Sequence, residues 1–227
     1  MFDLDGTISD SAPGILGSLE LAFADHDLPW IGPDAARAIL GPPFRTSLVP
    51  YMPASLIEPV IVSYRRYYND LEGMYNTTLY DGIEAVLTAL HDDGFALALA
   101  TSKPEEPAIA IAKYLKISHY FATIAGDTHD GVLGTKALVV GEALTRLGRT
   151  TDRHHDVMSP GDRHHDVIMI GDRHHDVDGA TQHGVRCIGA QWGYGGADEL
   201  AAAGAHVLVE HPHQLLDAIR SALPSHQ

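Results

Sequence analysis

Hydrophobic positions along this chain fall into two regimes. Between residue 12 and about residue 80, apolar residues recur at helical spacing. They do so in Ile15, Leu16, Leu19, Leu21 and Ala22, in Ala35, Ala36, Ile39 and Leu40, and in Leu56, Ile57, Val60, Ile61 and Tyr64, with proline and glycine between the runs. That pattern predicts a small helical module. From Asp81 onward, helical stretches alternate with short apolar runs. The spacing predicts helices near 82–93, 105–116, 136–148 and 176–183 and a closing helix from about 212, with strands at 96–100, 123–125, 167–170, 185–190 and 206–209.

Alternation of this kind predicts an α/β architecture, a parallel sheet covered by helices on both faces. The domain organisation expected is a core of residues 1–11 and 81–227, interrupted by a helical domain over 12–80. In such sheets ligands bind beyond the carboxyl ends of the strands, where the strand order reverses. Three segments carry polar residues at that point: Asp3 and Asp5, Thr101 and Ser102, and Asp172 with Asp176. Their convergence says more than any one of them.

Composition narrows the partners. The chain has 227 residues, 45% of them hydrophobic, enough to bury a sizeable core as one large domain or two smaller ones. Its formal net charge of −15 argues against nucleic acid and against an anionic membrane surface, both of which would repel the protein as a whole. A phosphate-bearing substrate would then need a local positive site. The one cysteine, Cys187, cannot form an internal disulfide, no basic-then-apolar leader opens the chain, and no apolar run approaches the roughly 20 residues that cross a bilayer. The expectation is a soluble cytoplasmic protein. The oligomeric state is left open.

Asp3 and Asp5 are one residue apart, so on an extended backbone both side chains point to one face, and Gly6 permits a sharp exit from the strand. Two carboxylates in one site can be held in different protonation states, which suits one to attack and the other to shuttle a proton. The spacing alone also fits a solvated strand end or a calcium-binding loop. Taken singly, Thr101 reads equally as a helix cap, Lys136 as a solvated lysine, and Asp172 and Asp176 as the charged first turn of a helix.

Taken together, these residues resemble the haloacid dehalogenase superfamily of hydrolases, in the phosphoglycolate phosphatase-like branch with a helical cap inserted after the first strand. Four signatures stand in order: Asp3-Leu4-Asp5-Gly6-Thr7, Thr101 closing an apolar strand, Lys136, and Gly171-Asp172-Arg173-His174-His175-Asp176. Gly41-Pro42-Pro43, Thr101-Ser102-Lys103-Pro104, Tyr120-Phe121 with Ile124-Ala125-Gly126, and Trp192-Gly193-Tyr194-Gly195 are similar to the bacterial 5′-nucleotidase-like group within that branch. The resemblance covers nearly the whole chain and implies a Rossmann-like core with an α-helical cap.

It also implies a chemistry. Asp3 would attack phosphorus to give an aspartyl-phosphate, and Asp5 would protonate the leaving alcohol and later activate water. Magnesium (Mg2+) would be bound by the Asp3 carboxylate, the Asp5 backbone carbonyl and Asp172, with Asp176 supporting it through water or holding the loop. Lys136, at a helix start, and the Thr101 hydroxyl with the Ser102 amide would bind the phosphate. The substrate expected is a small soluble phosphate ester, a 5′-mononucleotide before phosphoglycolate, with a phosphotyrosine-like ester third. The competing reading is a catalytically silent metal-binding or interaction protein on the same fold.

Absences sort the family's other reactions. A dehalogenase has no need of Asp5, and Schiff-base phosphonate cleavage needs a cap lysine where this chain has none before Lys103. In the cap, Arg45, Arg65 and Arg66 with Tyr64, Tyr67 and Tyr68 could meet a substrate's base or second anion. The alternative for the Tyr-Arg-Arg-Tyr-Tyr run is an amphipathic helix with arginines reaching out to solvent.

Two departures from the family pattern stand out. Asp-Arg-His-His-Asp-Val occurs three times, from Asp152, Asp162 and Asp172. Only the third copy follows an apolar strand, so the metal role is assigned to it. The first two, in a duplicated insertion over 150–166, are expected at the amino ends of the strands, away from the chemistry. There His154, His155, His164 and His165 with Asp152, Asp156, Asp162 and Asp166 would either hold a transition metal or form a solvated loop. The second departure is that only Met1 and Phe2 precede Asp3, where a strand of five or six residues is usual. Either the true start lies upstream, or the strand is short and weakens the sheet's centre.

Overall fold

The structure is a computed structural model that describes residues 1–41, 44–128, 134–149, 164 and 166–223. The chain forms two compact units, one of Met1–Ile8 with Leu79–Gln227 and one of Ser9–Thr78.

The larger unit is built on one parallel sheet. Strand Leu97–Pro104 pairs with Phe121–Asp127, Ile168–Gly171 pairs with Arg186–Ala190, and Arg186–Ala190 pairs with Val207–Val209, each in parallel. Phe2 joins the two halves, bridging Leu99 on one side and Ile170 on the other. The chain therefore starts at the centre of the sheet, steps outward on one side through Leu97–Pro104 and Phe121–Asp127, and returns to fill the other side. Strand order reverses at the Met1–Asp3 segment, which puts the switch point of a Rossmann-like fold beside Asp3 and Asp5. The expected α/β class with a Rossmann-like core is what the sheet shows.

Apolar residues buried on both faces explain the strands. Leu97, Ala98, Leu99 and Ala100 are all buried, as are Ile168, Met169 and Ile170, the continuous runs that a sheet covered on both faces requires. Helix Lys136–Arg146 lays Val139, Val140, Ala143 and Leu144 on a cluster with Ala98, Ala100, Met169, Val177 and Cys187. Helix Ile83–Asp92 buries Ile83, Val86, Leu87 and Leu90 at helical spacing.

The short first strand is fully laddered. The Phe2 N–H donates to the Ala98 carbonyl at 2.9 Å and the Ala100 N–H to the Phe2 carbonyl at 2.8 Å. On the other side the Asp3 N–H donates to Ile170, the Ile170 N–H to Met1, and the Met1 amine to the Ile168 carbonyl at 2.7 Å. Three residues thus close the sheet, with Phe2 among the most deeply buried side chains.

Two of the features that periodicity missed bear on the site. Strand Leu97–Pro104 runs four residues beyond the apolar run at 97–100, and helix Gly196–Ala202 was not foreseen, because Gly195, Gly196 and a row of alanines hide its apolar spacing. The first two histidine-rich copies fall almost wholly outside the described residues, and so does their role. Of them, Asp166 pairs with Arg149 at 2.6 Å in an exposed position.

The Ser9–Thr78 unit is helical. Helix Ala12–Asp25 starts with Pro13 in its first turn and buries Ile15, Leu19, Ala22 and Phe23. Helix Ala54–Arg65 buries Ile57, Val60 and Ile61. Leu19, Ala22, Phe23, Ile57, Val60 and Ile61 share one cluster with Ile39, Leu48 and Met52. The Tyr-Arg-Arg-Tyr-Tyr run leaves this helix through a single π-helical turn, Arg66–Asp70, with Tyr68 buried and Arg66 lying over the Tyr67 ring.

Candidate active site

The polar residues at the strand ends of the larger unit converge. Asp3 leaves the central strand, and Gly6, at φ +86°, turns the chain so tightly that a Cβ there would lie 2.3 Å from Asp172 Oδ2. Asp172 and Asp176 follow strand Ile168–Gly171, at the start of helix His174–Thr181. Lys136 opens helix Lys136–Arg146, whose cap is the Thr135 hydroxyl accepting from Leu138 N–H. Asp3, Asp172 and Asp176 offer oxygens all within 4.8 Å of one another, and all three are buried. Lys136 Nζ lies 2.5 Å from Asp3 Oδ1 and 2.7 Å from Asp176 Oδ1.

The electrostatics of this group are unbalanced. Three carboxylates face one ammonium, so full ionisation leaves two excess negative charges in a buried space. The Asp3 carboxyl is accordingly pushed up to about 7, first by burial, with Asp176 and Asp5 adding to the rise and Lys136 opposing it. Burial first, then Asp176 and Asp3, push Asp172 well above the ordinary carboxylate range, against the Tyr194 amide and Thr7 hydroxyl that hydrogen-bond to it. Burial opposes the Lys136 charge, but Asp176 and Asp3 outweigh it and hold the ammonium above its ordinary value. An all-oxygen donor set with this charge fits a hard divalent cation such as magnesium.

Asp5 stands apart from the cluster. Its side chain is 20% exposed, and Oδ2 lies 3.0 Å from Lys103 Nζ. Lys103 is brought there by an irregularity at the strand end: pairing with the neighbouring strand shifts register between Ala100 and Pro104, leaving Thr101, Ser102 and Lys103 as a bulge. Thr101 is buried, and its hydroxyl accepts the Lys103 N–H at 3.2 Å. It caps no helix, since Pro104 precedes helix Glu105–Tyr114. Ser102 is exposed.

Four residues here carry no assigned role in the sequence pattern. Lys103 and Thr7 lie inside the motif runs, where their neighbours carry the signal. Tyr194 belongs to the Trp-Gly-Tyr-Gly run. Glu199 had no signal at all, because it stands on the helix that periodicity did not predict. In the helical unit, Arg45 is engaged by Glu58, with Nε–Oε1 at 2.5 Å and Nη2–Oε2 at 3.1 Å, and Arg65 is exposed.

A buried carboxylate trio with one ammonium thus stands at the switch point of a parallel sheet on a Rossmann-like fold, with a separate aspartate beside Lys103 two residues from the first. The pattern of the family described as haloacid dehalogenase-like hydrolases matches residues 1–190, and the chain belongs to that family. The expectation of a phosphatase-type hydrolase of this family is met. The chain is 36% identical to tyrosine-protein kinase PtkA of Mycobacterium tuberculosis, over 98% of this chain and 71% of that one. It is 35% identical to a 5′-nucleotidase of Pseudomonas aeruginosa, over 100% and 95% of the respective chains. The crystal structure of a predicted phosphatase from Clostridium acetobutylicum superposes with a TM-score of 0.84 at 36% identity, covering 97% of this chain and 96% of that one. Among the described residues, no helix is long and apolar enough to cross a membrane.

Proposed function

We propose that this protein is a magnesium-dependent phosphatase that hydrolyses a small phosphate monoester, a 5′-mononucleotide in the first instance, through a phosphoryl group carried on Asp3. The observation that carries the reading is the separation of Asp3, buried with Lys136 and the two other carboxylates, from Asp5, outside that cluster beside Lys103.

In the first half-reaction, Asp3 Oδ attacks phosphorus and the bond from phosphorus to the ester oxygen breaks, while Asp5, protonated, gives its proton to the departing alcohol. In the second, Asp5 takes a proton from water, which attacks the phosphorus of the aspartyl-phosphate. Inorganic phosphate leaves and the Asp3 carboxylate is restored. Lys136 meets the phosphoryl oxygens with positive charge, and the Thr101 hydroxyl and Ser102 amide donate to them. Asp3, Asp172, Asp176 and the Asp5 carbonyl would hold magnesium, which supplies the charge that lets an anionic nucleophile approach a phosphate dianion.

The nucleotide preference is supported by the likeness to the Pseudomonas aeruginosa 5′-nucleotidase along nearly the whole length of both chains. Phosphoglycolate is the alternative substrate. A second reading is favoured by the equally similar mycobacterial relative named as a tyrosine kinase: transfer of a phosphoryl group to a tyrosine in place of water. Phosphate release from a panel of 5′-nucleotides, phosphoglycolate and phosphotyrosine, with magnesium or with chelator, tests the proposal in the wild type and Asp3→Asn. Selective, magnesium-dependent release lost in the mutant is expected. No release from a folded protein, with label from the γ-phosphate of ATP appearing on tyrosine, would establish the second reading instead.

A further inference from the structure

Residues 192–199 take no part in that chemistry, yet they hold the most enclosed carboxylate of the site from several directions. Asp172 is fully buried, and each of its oxygens accepts a fixed donor: the Tyr194 N–H reaches Oδ2 at 2.7 Å and the Thr7 hydroxyl reaches Oδ1 at 3.1 Å. Thr7 is held in turn, because the Trp192 indole N–H donates to its carbonyl at 3.0 Å. The Trp192 ring meets Tyr80 edge-on, with centroids 6.5 Å apart. Between Trp192 and Tyr194 the backbone passes so near that a Cβ on Gly193 would lie 2.2 Å from Asp172 Cβ. Only glycine leaves that room.

Glu199 holds the same turn from its other end. Its Oε1 accepts Arg173 Nε–H at 2.8 Å and the His174 N–H at 2.9 Å, and lies 2.7 Å from His174 Nδ1. These bonds fix the backbone between Asp172 and Asp176, and the Arg173 N–H donates to Asp176 Oδ2 at 3.0 Å. A cation gains most from carboxylates whose lone pairs already point inward, and the groups that orient such ligands commonly matter to affinity almost as much as the ligands.

We propose that residues 192–199 form a brace that presets Asp172 and Asp176 for a divalent cation, with Trp192 and Glu199 as its positioning residues. Trp192 acts through Thr7, and Glu199 acts through the backbone of Arg173 and His174. This inference rests on the cation-dependent reading above and extends it to a segment outside the reacting groups.

The test is direct titration of the full chain with Mn2+, followed by electron paramagnetic resonance without any phosphate ester, for wild type, Trp192→Phe, Glu199→Ala, Glu199→Gln and Asp172→Asn. Wild type is expected to bind Mn2+ and Asp172→Asn to lose that binding. Trp192→Phe and Glu199→Ala should bind roughly tenfold more weakly, with Glu199→Gln weakened less. At saturating magnesium the KM for the phosphate ester should stay unchanged in both brace variants, which a general loosening of the fold would not produce. Trp192→Phe keeps a ring against Tyr80 and Glu199→Gln keeps the side chain's shape, so a failure of one variant to fold leaves the other to decide. Wild-type Mn2+ affinity in the folded Trp192 and Glu199 variants would overturn the brace and leave the cation site standing. No Asp172-dependent Mn2+ binding by the wild type would overturn the cation site and the brace with it.

Discussion

Two aspartate–lysine pairs, Asp3 with Lys136 and Asp5 with Lys103, start from the same short loop and differ in almost everything else. Lys136 is shared between Asp3 and Asp176 in a buried group with excess negative charge, and the Asp3 carboxyl is pushed up to about 7. Lys103 lies 3.0 Å from Asp5, in a pair whose carboxylate side reaches solvent. In the proposed reaction this difference would give one Asp-x-Asp motif two roles, the first aspartate held beside cation and phosphate and the second left to pass a proton.

The largest break in that comparison is Asp3→Asn. It should lower phosphate release by about four orders of magnitude or more, the scale seen when a covalent nucleophile is removed. Asp5→Asn should cost less, about 10²–10⁴-fold, because it removes proton transfer but leaves the attacking group. Stopped-flow phosphate detection on both mutants ranks them, and equal losses would mean that the two aspartates do not divide the work.

The lysines sharpen the contrast through stability. Lys136→Ala removes the ammonium shared by buried Asp3 and Asp176 and should destabilise the metal-free protein by about 3–5 kcal/mol in urea unfolding. Lys103→Met takes a cation from a partly solvated carboxylate, and its cost should be about 1 kcal/mol or less.

The same contrast sets the pH dependence. The folded, metal-free protein holds a proton on Asp3 up to about pH 7, whereas the unfolded chain releases it near its ordinary value of 3.8. Between those values the folded state binds more protons, so this contribution to stability falls as pH rises and is flat above the upper value. Thermal midpoints of the metal-free protein should therefore drop between about pH 4 and pH 7 and level off above that. Magnesium competes with that proton, so its stabilising shift should be larger at the higher pH. A shift independent of pH would mean that the cation does not displace a proton from the site.

Much of the fold was legible because the chain's periods are plain. Apolar runs such as Leu97–Ala100 and Ile168–Ile170, set between helical stretches, announce a parallel sheet, and the observed strands fall on them. The central strand was least legible. Met1–Asp3 is too short to show a period, and its place comes from hydrogen bonds to Ala98, Ile168 and Ile170 that no local pattern encodes. At the site, Asp3, Asp172, Asp176 and Lys136 were readable as types at known spacings, and the structure groups them. Lys103 on Asp5 depends on a register shift after Ala100, and Glu199 under Arg173 depends on a helix masked by alanine and glycine. Tertiary geometry created both contacts.

Whether Asp3 carries the phosphoryl group is decided by mass spectrometry of the Asp5→Asn protein, acid-quenched during turnover with magnesium and an aryl phosphate, whose leaving group departs without a proton. With the second half-reaction slowed, one added phosphoryl group should be found on the peptide containing Asp3, and it should be absent from an Asp3→Asn, Asp5→Asn double mutant. Phosphate release that continues in Asp3→Asn, with no phosphoryl group on that peptide in Asp5→Asn, would contradict that role for Asp3.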